Sequence, residues 1–323
     1  MLSIQRKKIL VIGDFMLDVY TFGDVHRISP EAPVPVLRVV EESRRPGGAG
    51  NAILNLVSLG MEVIAVGRVG NDVGGSTFLQ EMAKERVDTR GVICDFSFQT
   101  PLKNRMIAAG QQLLRIDYER PSPLKPHLES EVVASLPKLL EKVEIVAISD
   151  YAKGFLTPSL LSSLIGLANQ RGIPVIVDPK GIDFTRYHGA TLIKPNLLEA
   201  VGAAGLGMEA TLDDIASRIM KTVTIDCLMV TRSKEGISVF QRDKIRQDFP
   251  AHVHEVKDVT GAGDTVLAII TAALANRLSI AEAAKLANIA AGIAIERVGC
   301  ARISLSDLAA RLVEIDASVI TSK

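Results

Sequence analysis

The run Asp258-Val-Thr-Gly-Ala-Gly-Asp-Thr265 sets three small residues, Gly261, Ala262 and Gly263, ahead of an apolar helical stretch, Val266–Ala275. Without bulky side chains, successive backbone N–H groups at a helix mouth can approach a phosphate. The positive end of the helix dipole then faces the same anion. Asp264 stands beside them, where its carboxylate can accept a proton from a hydroxyl as a phosphoryl group moves onto that oxygen. A bare Gly-x-Gly-Asp would be an ordinary turn with a capping Asp; the eight-residue run is far more specific.

A second Gly-rich turn, Pro46-Gly-Gly-Ala-Gly-Asn51, precedes a helical stretch. It is not a dinucleotide fingerprint, because no Gly-x-Gly-x-x-Gly follows the first strand. That strand ends in Gly13-Asp14, with Asp18 close behind. Lys194-Pro195-Asn196-Leu-Leu-Glu199 taken alone would be a helix cap with its reciprocal Glu. His252-Val-His254 sets two imidazoles on one strand face but brings no third ligand, which argues against a metal. No Ser-His-Asp or Cys-His arrangement and no His-Glu-x-x-His occurs.

Alternating elements must position these turns. Short β-branched or apolar runs read as strands: Ile9–Ile12, Val63–Val66, Ile145–Ile148, Val175–Val177, Leu228–Thr231 and Ile237–Phe240. Between most of them lie segments of helical period: Ala49–Leu59, Thr77–Lys84, Leu128–Glu141, Ser159–Ala168 and Leu212–Met220. Start signals include Thr157-Pro158, Thr211-x-x-Asp214 and Ser279-x-x-Glu282. The tail after Ser304 reads as one amphipathic helix, Leu305–Ile315. Apolar strands alternating with helices imply an α/β fold, a mostly parallel sheet with helices on both faces. Two stretches break the rhythm. Thr21–Val40 carries Pro30, Pro33 and Pro35 and then alternates, and Thr100–Glu119 reads as a hairpin turning near Ala109-Gly110. Both read as antiparallel strands outside the main layer, insertions in one 323-residue domain that together form a small lid.

Composition sets outer limits. Lys plus Arg and Asp plus Glu number 37 each, so no global field draws the chain to nucleic acid or to an anionic membrane. The 47% hydrophobic content with 4% aromatic and no Trp calls for a core of Ala, Val, Ile and Leu. Cys94, Cys227 and Cys300 form no Cys-x-x-Cys pair and read as thiols in a reducing compartment. The N-terminus lacks the apolar region of a signal peptide, and the longest apolar stretch is too short to span a bilayer. The expectation is a soluble, cytoplasmic protein.

On these motifs the chain resembles the ribokinase, or phosphofructokinase-B, sugar kinases. Asp258–Ala268 matches their C-terminal signature and Pro46–Asn51 resembles their N-terminal one. The resemblance implies an ATP-dependent kinase. It implies Asp264 as base, with the amides of Gly261, Ala262 and Gly263 as the anion hole. Gly47, Gly48 and Asn51 would hold sugar, as would an Asp at the first strand end, with Asp14 fitting the edge and Asp18 the nearby alternative. Asn196 and Glu199 would organise phosphates and Mg²⁺, largely through water, which suits an ion that keeps its hydration shell. Thr231 and Arg232 would contact nucleotide, although Ser233 stands where the family usually has Gly. Asp258 and Thr260, with the loop near Ala294–Cys300, resemble a monovalent-cation (K⁺) site.

Four further runs, Arg27–Val36, Leu113–Glu119, Ser149–Gly154 and Asp178–Gly181, resemble one subgroup, the bacterial D-glycero-β-D-manno-heptose 7-phosphate kinases, which phosphorylate O1. A substrate that already carries a phosphate needs a second anion site, and Lys153, Arg105 and Arg115 are the candidate donors. Many members of that subgroup add a nucleotidyltransferase domain with a His-x-Gly-His motif. None occurs here, so a kinase alone is expected. Unpaired lid edges favour a homodimer through Thr21–Val40 and Thr100–Glu119. Another sugar or a nucleoside as acceptor, a non-catalytic sugar-binding relative, and a dehydrogenase are the rival readings; the missing dinucleotide fingerprint weighs against the last.

Overall fold

The computed structural model describes residues 4–251 and 255–321, with side chains as far as residue 315. Its strands are β1 (Lys8–Ile28), β2 (Pro35–Gly48), β3 (Glu62–Gly70), β4 (Asp88–Asp95), β5 (Leu102–Ala108), β6 (Gln111–Tyr118), β7 (Ile145–Ser149), β8 (Val175–Asp178), β9 (Leu192–Ile193), β10 (Cys227–Thr231), β11 (Ile237–Gln241) and β12 (Gln247–Phe249). Its helices are α1 (Ala49–Ser58), α2 (Val73–Lys84), α3 (Pro126–Leu139), α4 (Pro158–Gln170), α5 (Leu197–Ala204), α6 (Leu212–Val223), α7 (Ala262–Ala275), α8 (Ile280–Ile295) and α9 (Leu305–Thr321). The His252-Val-His254 pair lies outside the described residues.

The main sheet runs β12-β11-β10-β9-β8-β7-β1-β3-β4. From β10 to β4 every pairing is parallel, and β11 and β12 close one edge antiparallel. The central strand shows why its sequence is apolar without a break. Side chains alternate across a strand, so Ile9 and Val11 enter one core while Leu10 and Ile12 enter the other. The first core packs α1, α2, α7, α8 and α9 on one face of the sheet, and the second packs α3, α4, α5 and α6 on the other. Each fully buried Leu, Ile or Val side chain contributes about 1.5–3 kcal/mol to folding.

Helix starts follow their caps. Thr157 Oγ1 accepts from the Leu160 N–H at the head of α4. Ser279 and Glu282 make the full reciprocal pair at α8. At α6 only half the expected box forms: Thr211 accepts from the Asp214 N–H, while the Asp214 carboxylate takes the Thr211 hydroxyl. Helix α2 begins at Val73, earlier than the expected Thr77, because Asp72 caps it through the Gly75 N–H and so carries two glycines into its first turn.

The lid departs most from expectation. Its strands run β2-β1-β5-β6, and β1 belongs to both sheets. The strand pairs β3 and β7 as far as Asp14 and Gly13, then pairs β2 from Phe15 onward and β5 from Leu17 onward. The first lid segment therefore spans Phe15 to Gly48 rather than Thr21–Val40. The two antiparallel hairpins join through a parallel β1–β5 contact. The expected turn at Ala109-Gly110 is present, with both residues at positive φ (49° and 75°), the pattern of a two-residue hairpin loop.

Candidate active site

Helix α7 opens on Gly261, whose φ of 76° lies in the left-handed region. A Cβ there would sit 2.5 Å from Asn51 Nδ2 and 3.3 Å from Cys300 Sγ, so only glycine fits. The helix begins four residues earlier than its apolar stretch suggests and takes Ala262 and Gly263 into its first turn. Ala262 N–H reaches Val259 O at 3.3 Å and Thr265 N–H closes on Gly261 O at 2.9 Å. The N–H groups of Gly263 and Asp264 stand between them at the helix mouth, without an intrahelical acceptor.

Asp264 is the third helical residue and is 2% exposed. Its Oδ2 accepts from Asn51 Nδ2 at 3.0 Å and its Oδ1 from the Tyr151 hydroxyl at 2.6 Å. Burial drives its pKa up to about 7; the Tyr151 and Asn51 hydrogen bonds pull the other way, and the nearby Asp178 and Asp18 charges add to the rise. Asn51 is itself fixed by α1, where its Oδ1 accepts from Asn55 Nδ2. The two Gly-rich turns thus meet side chain to side chain.

The structure separates the two strand-end aspartates. Both oxygens of Asp14 are taken by the backbone of one loop: Oδ2 accepts from the N–H groups of Tyr151 (2.9 Å) and Lys153 (3.0 Å), and Oδ1 from Phe155 (3.3 Å). Asp14 shapes that loop. Asp18 faces Gly47, where a Cβ would come within 2.0 Å of its Oδ2, and Cys300, whose Sγ is 3.4 Å away. Gly48 stands at the head of α1, with Gly47 packed against Asp18 and Asn51 bonded to Asp264, so these buried groups gather where α1, α7 and β1 meet.

The three expected phosphate donors are all matched to carboxylates. Arg105 pairs with Asp18 at 2.5 Å, with both side chains buried. Arg115 holds Asp117 through two bonds of 2.8 and 3.0 Å. Lys153 meets Glu119 at 2.8 Å. Arg105 and Arg115 are direct cross-strand partners, as the hairpin requires, yet Arg105 is buried and Arg115 exposed.

On the other side of α7 lies a cavity of about 590 Å³, lined by Thr231, Gly236, Val259, Ala262, Gly263 and Asn288 among others. It joins the helix mouth to the ends of β10 and α8. Asn196 bridges Thr231 across the strand ends, and Thr231 N–H donates to Pro195 O. Asn196 and Glu199 form a full capping box on α5, and Glu199 Oε1 also accepts from Lys180 Nζ at 2.7 Å. Arg232, expected at the nucleotide, turns instead to Glu235 and Asp248; Ser233 and Lys234 line the cavity in its place. Ser233 adopts φ 50°, the left-handed conformation for which glycine is the easier residue. Asp258 staples two loops, its Oδ1 on the Thr260 N–H and its Oδ2 on the Gly299 N–H, both at 2.9 Å.

Three residues went unassigned at the level of sequence. Tyr151 touches Asp264. Lys194, 3% exposed, pairs with Asp178 at 2.9 Å. A Cβ on Gly263 would lie 3.7 Å from Asp178 Oδ2 and 3.9 Å from Lys194 Nζ, so this pair stands beside the helix mouth. Burial raises Asp178 to about 6 despite Lys194. Cys300 is buried between Asp18 and Gly261. Tyr151 follows the strand run that ends at Ile148, and that placement was the available signal; Lys194 and Cys300 had none beyond lying in runs singled out for other residues.

Residues 6–307 match the model of the pfkB family carbohydrate kinases. The bifunctional protein HldE of Geobacter metallireducens is 47% identical over 301 residues, which cover 93% of this chain and 61% of that protein. HldE of Trichlorobacter lovleyi is 44% identical over 305 residues, covering 94% and 62%. The chain thus spans about three-fifths of the length of these relatives. Among solved structures, phosphofructokinase-2 from Escherichia coli in complex with potassium superposes with a TM-score of 0.77 at 21% identity, covering 96% of this chain and 99% of that one. Arabidopsis thaliana ribokinase complexed with ribose and ATP gives 0.73 at 18%, covering 95% and 99%.

Proposed function

The chain belongs to the pfkB family of carbohydrate kinases, with a ribokinase-like fold and ATP-dependent sugar kinase activity, and within that family we propose that it phosphorylates O1 of D-glycero-β-D-manno-heptose 7-phosphate to give the 1,7-bisphosphate. The observation that carries the reaction is the Asp264 carboxylate, buried at the mouth of α7 against Asn51 and Tyr151 and next to Ala262 and Gly263, which line the 590 Å³ cavity. The HldE relatives carry the choice of sugar.

In this reading ATP lies along the cavity past Thr231, with its terminal phosphate at the amides of Gly261–Gly263. The heptose lies against Asp18, Gly47, Gly48 and Asn51, with Asp14 holding the loop beside it. Asp264 takes the proton from O1 as that oxygen forms a bond to the γ-phosphorus and the bond to ADP breaks. The helix mouth stabilises charge on the moving phosphoryl, so the protein supplies positioning and electrostatics. Lys194 stands near enough to the mouth to counter the same charge. Lys153 and Arg105 are the proposed 7-phosphate donors, which requires the incoming phosphate to compete with Glu119 and Asp18 for them.

Among the described residues no group of three or more His, Cys, Asp or Glu could cage a metal ion. The donors near the phosphates are a capping Glu199 and the Asp178 paired to Lys194, which fit Mg²⁺ arriving on ATP and held through water. Bound Mg²⁺ would neutralise part of the phosphate charge. Asp258 and Thr260 fit the frame of a K⁺ site, because the Asp258 oxygens bond backbone amides and so fix the loops that would present carbonyls.

The lid edges expose Val39 and Val40 on β2 and Leu113 and Leu114 on β6. We place the homodimer contact there. No helix among the described residues is long and apolar enough to cross a membrane, and we assign the reaction to the cytoplasm.

The deciding experiment incubates the protein with ATP, Mg²⁺ and a sugar panel: heptose 7-phosphate, fructose 6-phosphate, ribose and a nucleoside. The bisphosphate, with one ADP formed for each, is the expected product of the first. Turnover on another sugar with none on heptose 7-phosphate removes the heptose assignment and keeps the kinase. Absence of ADP with every acceptor leaves a sugar-binding relative. Light scattering on the same sample reads the chain mass, and a monomer at all concentrations rules out the lid dimer.

A further inference from the structure

The loop after β7 ties Asp14 to the base. Tyr151 donates its hydroxyl to Asp264 Oδ1 at 2.6 Å, while its own N–H donates to Asp14 Oδ2 at 2.9 Å. Lys153 and Phe155 add their N–H groups to the same Asp14 carboxylate. The loop is wound tightly. Ala152 adopts φ 54° and Gly154 φ 96°, and Asp150 Oδ1 accepts from the Ala152 N–H at 2.7 Å. Asp150 is held in turn by the Tyr187 hydroxyl at 2.7 Å. A residue with a Cβ is disfavoured at such a φ, so this winding persists only where surrounding bonds enforce it. Its effect is to turn the Tyr151 ring past Gly48, a Cβ on which would lie 3.4 Å from Tyr151 Cδ2, and onto α7.

We infer that Tyr151 is a positioning residue for the base: its hydroxyl fixes the rotation of the Asp264 carboxylate, and its backbone couples that contact to Asp14. The inference rests on the proposed reading of Asp264 as the base. The phenol is pushed well above its ordinary value by burial and by the Asp264 charge, so it stays a donor throughout the working range. Several groups face the carboxylate. Tyr151 comes from the loop and Asn51 from α1. Asp18 comes from β1 and Cys300 from the loop after α8. Asp178 comes from the end of β8, with Lys194 paired to it. Of these, Tyr151 and Asn51 donate to Asp264, whereas Asp18 and Asp178 oppose its ionisation. Removing the hydroxyl therefore makes the carboxylate easier to protonate.

The test is Tyr151→Phe, compared with the unaltered chain in kcat against pH, using ATP, Mg²⁺ and the best acceptor of the panel. The acid limb should move up by about one pH unit, with KM for ATP unchanged. A melting curve on the same sample reports folding. Biosynthetic replacement of tyrosine by 3-fluorotyrosine, a stronger donor, should move the limb the opposite way; this arm decides the matter if Tyr151→Phe does not fold. Coincident pH profiles in the folded variant, or in the fluorinated protein where only that arm is readable, overturn the inference. If Asp264→Asn keeps full activity, the reading of the base fails instead, so the two failures are distinct.

Discussion

Asn51 Nδ2 lies 3.0 Å from Asp264 Oδ2, although 213 residues separate the two in the chain. Together with a longer bond of 3.4 Å from the same Nδ2 to Gly261 O, this contact joins the Gly-rich turn at the head of α1 to the Gly-rich turn at the head of α7. Both helices sit on the same face of the sheet, and their small N-terminal residues let the backbones approach. The sugar-side and phosphate-side elements therefore share the Asn51 amide, and several consequences can be measured.

Replacement of Asp264 by Asn keeps the shape and removes the base. The turnover number should fall by about 10²–10⁴-fold while the protein stays folded. A rate equal to that of the unaltered protein would remove Asp264 from the reaction.

Titration of Asp264 should set the acid limb of activity. Its pKa is raised to about 7, so the working carboxylate form is lost as pH falls through that value. Stability runs the other way. The folded chain binds a proton at Asp264 that the unfolded chain has released above about pH 4, so folding weakens from there up to pH 7 and the penalty persists above it. Asp264→Asn should therefore gain stability relative to the parent as pH rises from 4 to 8. Thermal melts across pH check the sign; a variant that loses stability relative to the parent over that range contradicts it.

Substituting Gly261 by Ala combines a left-handed φ with a Cβ that would lie 2.5 Å from Asn51 Nδ2. Asn51 must move, and its bond to Asp264 goes with it. A loss of about 10²-fold in kcat is expected, near the effect of deleting one preorganised donor, with the melting temperature lowered by only a few degrees. An unimpaired rate would show that this contact does not matter.

Breaking the buried Arg105–Asp18 pair should cost more than its distance from α7 suggests. Arg105→Met leaves Asp18 uncompensated beneath the lid, a loss of about 3–5 kcal/mol. Adding Asp18→Asn should restore much of that stability while weakening sugar binding. Urea titrations of both variants decide the point, and an Arg105→Met protein as stable as the parent refutes it.

Sequence made some of this legible and hid other parts, for physical reasons. The apolar runs at Ile9–Ile12 and Ile145–Ile148 are covered on both faces, and only buried parallel strands read that way. The Asp258–Thr265 run marked the helix mouth because three small residues in succession bare the backbone N–H groups there. The length of β1 was hidden, since Gly13 and Asp14 interrupt the apolar run where the strand passes from one sheet to the other, although the strand stays buried as far as Thr21. The start of α7 was hidden because Ala262 and Gly263 carry no apolar period. Asp14 and Asp18 could not be told apart from spacing; only the three amides converging on Asp14 do so. Ion pairing was equally invisible: Arg232 looked available until Glu235 and Asp248 were seen to claim it.

The 21-residue β1 has a mechanical consequence. Lid and body share this strand, so between Gly13 and Phe15 no slack chain acts as a pivot. Any swing of the lid must be absorbed as torsion distributed along a hydrogen-bonded ribbon, which behaves as a leaf spring rather than a door hinge. Such a cover returns to one rest position after each displacement, and its stiffness is set by how many ladder bonds flank the crossing point.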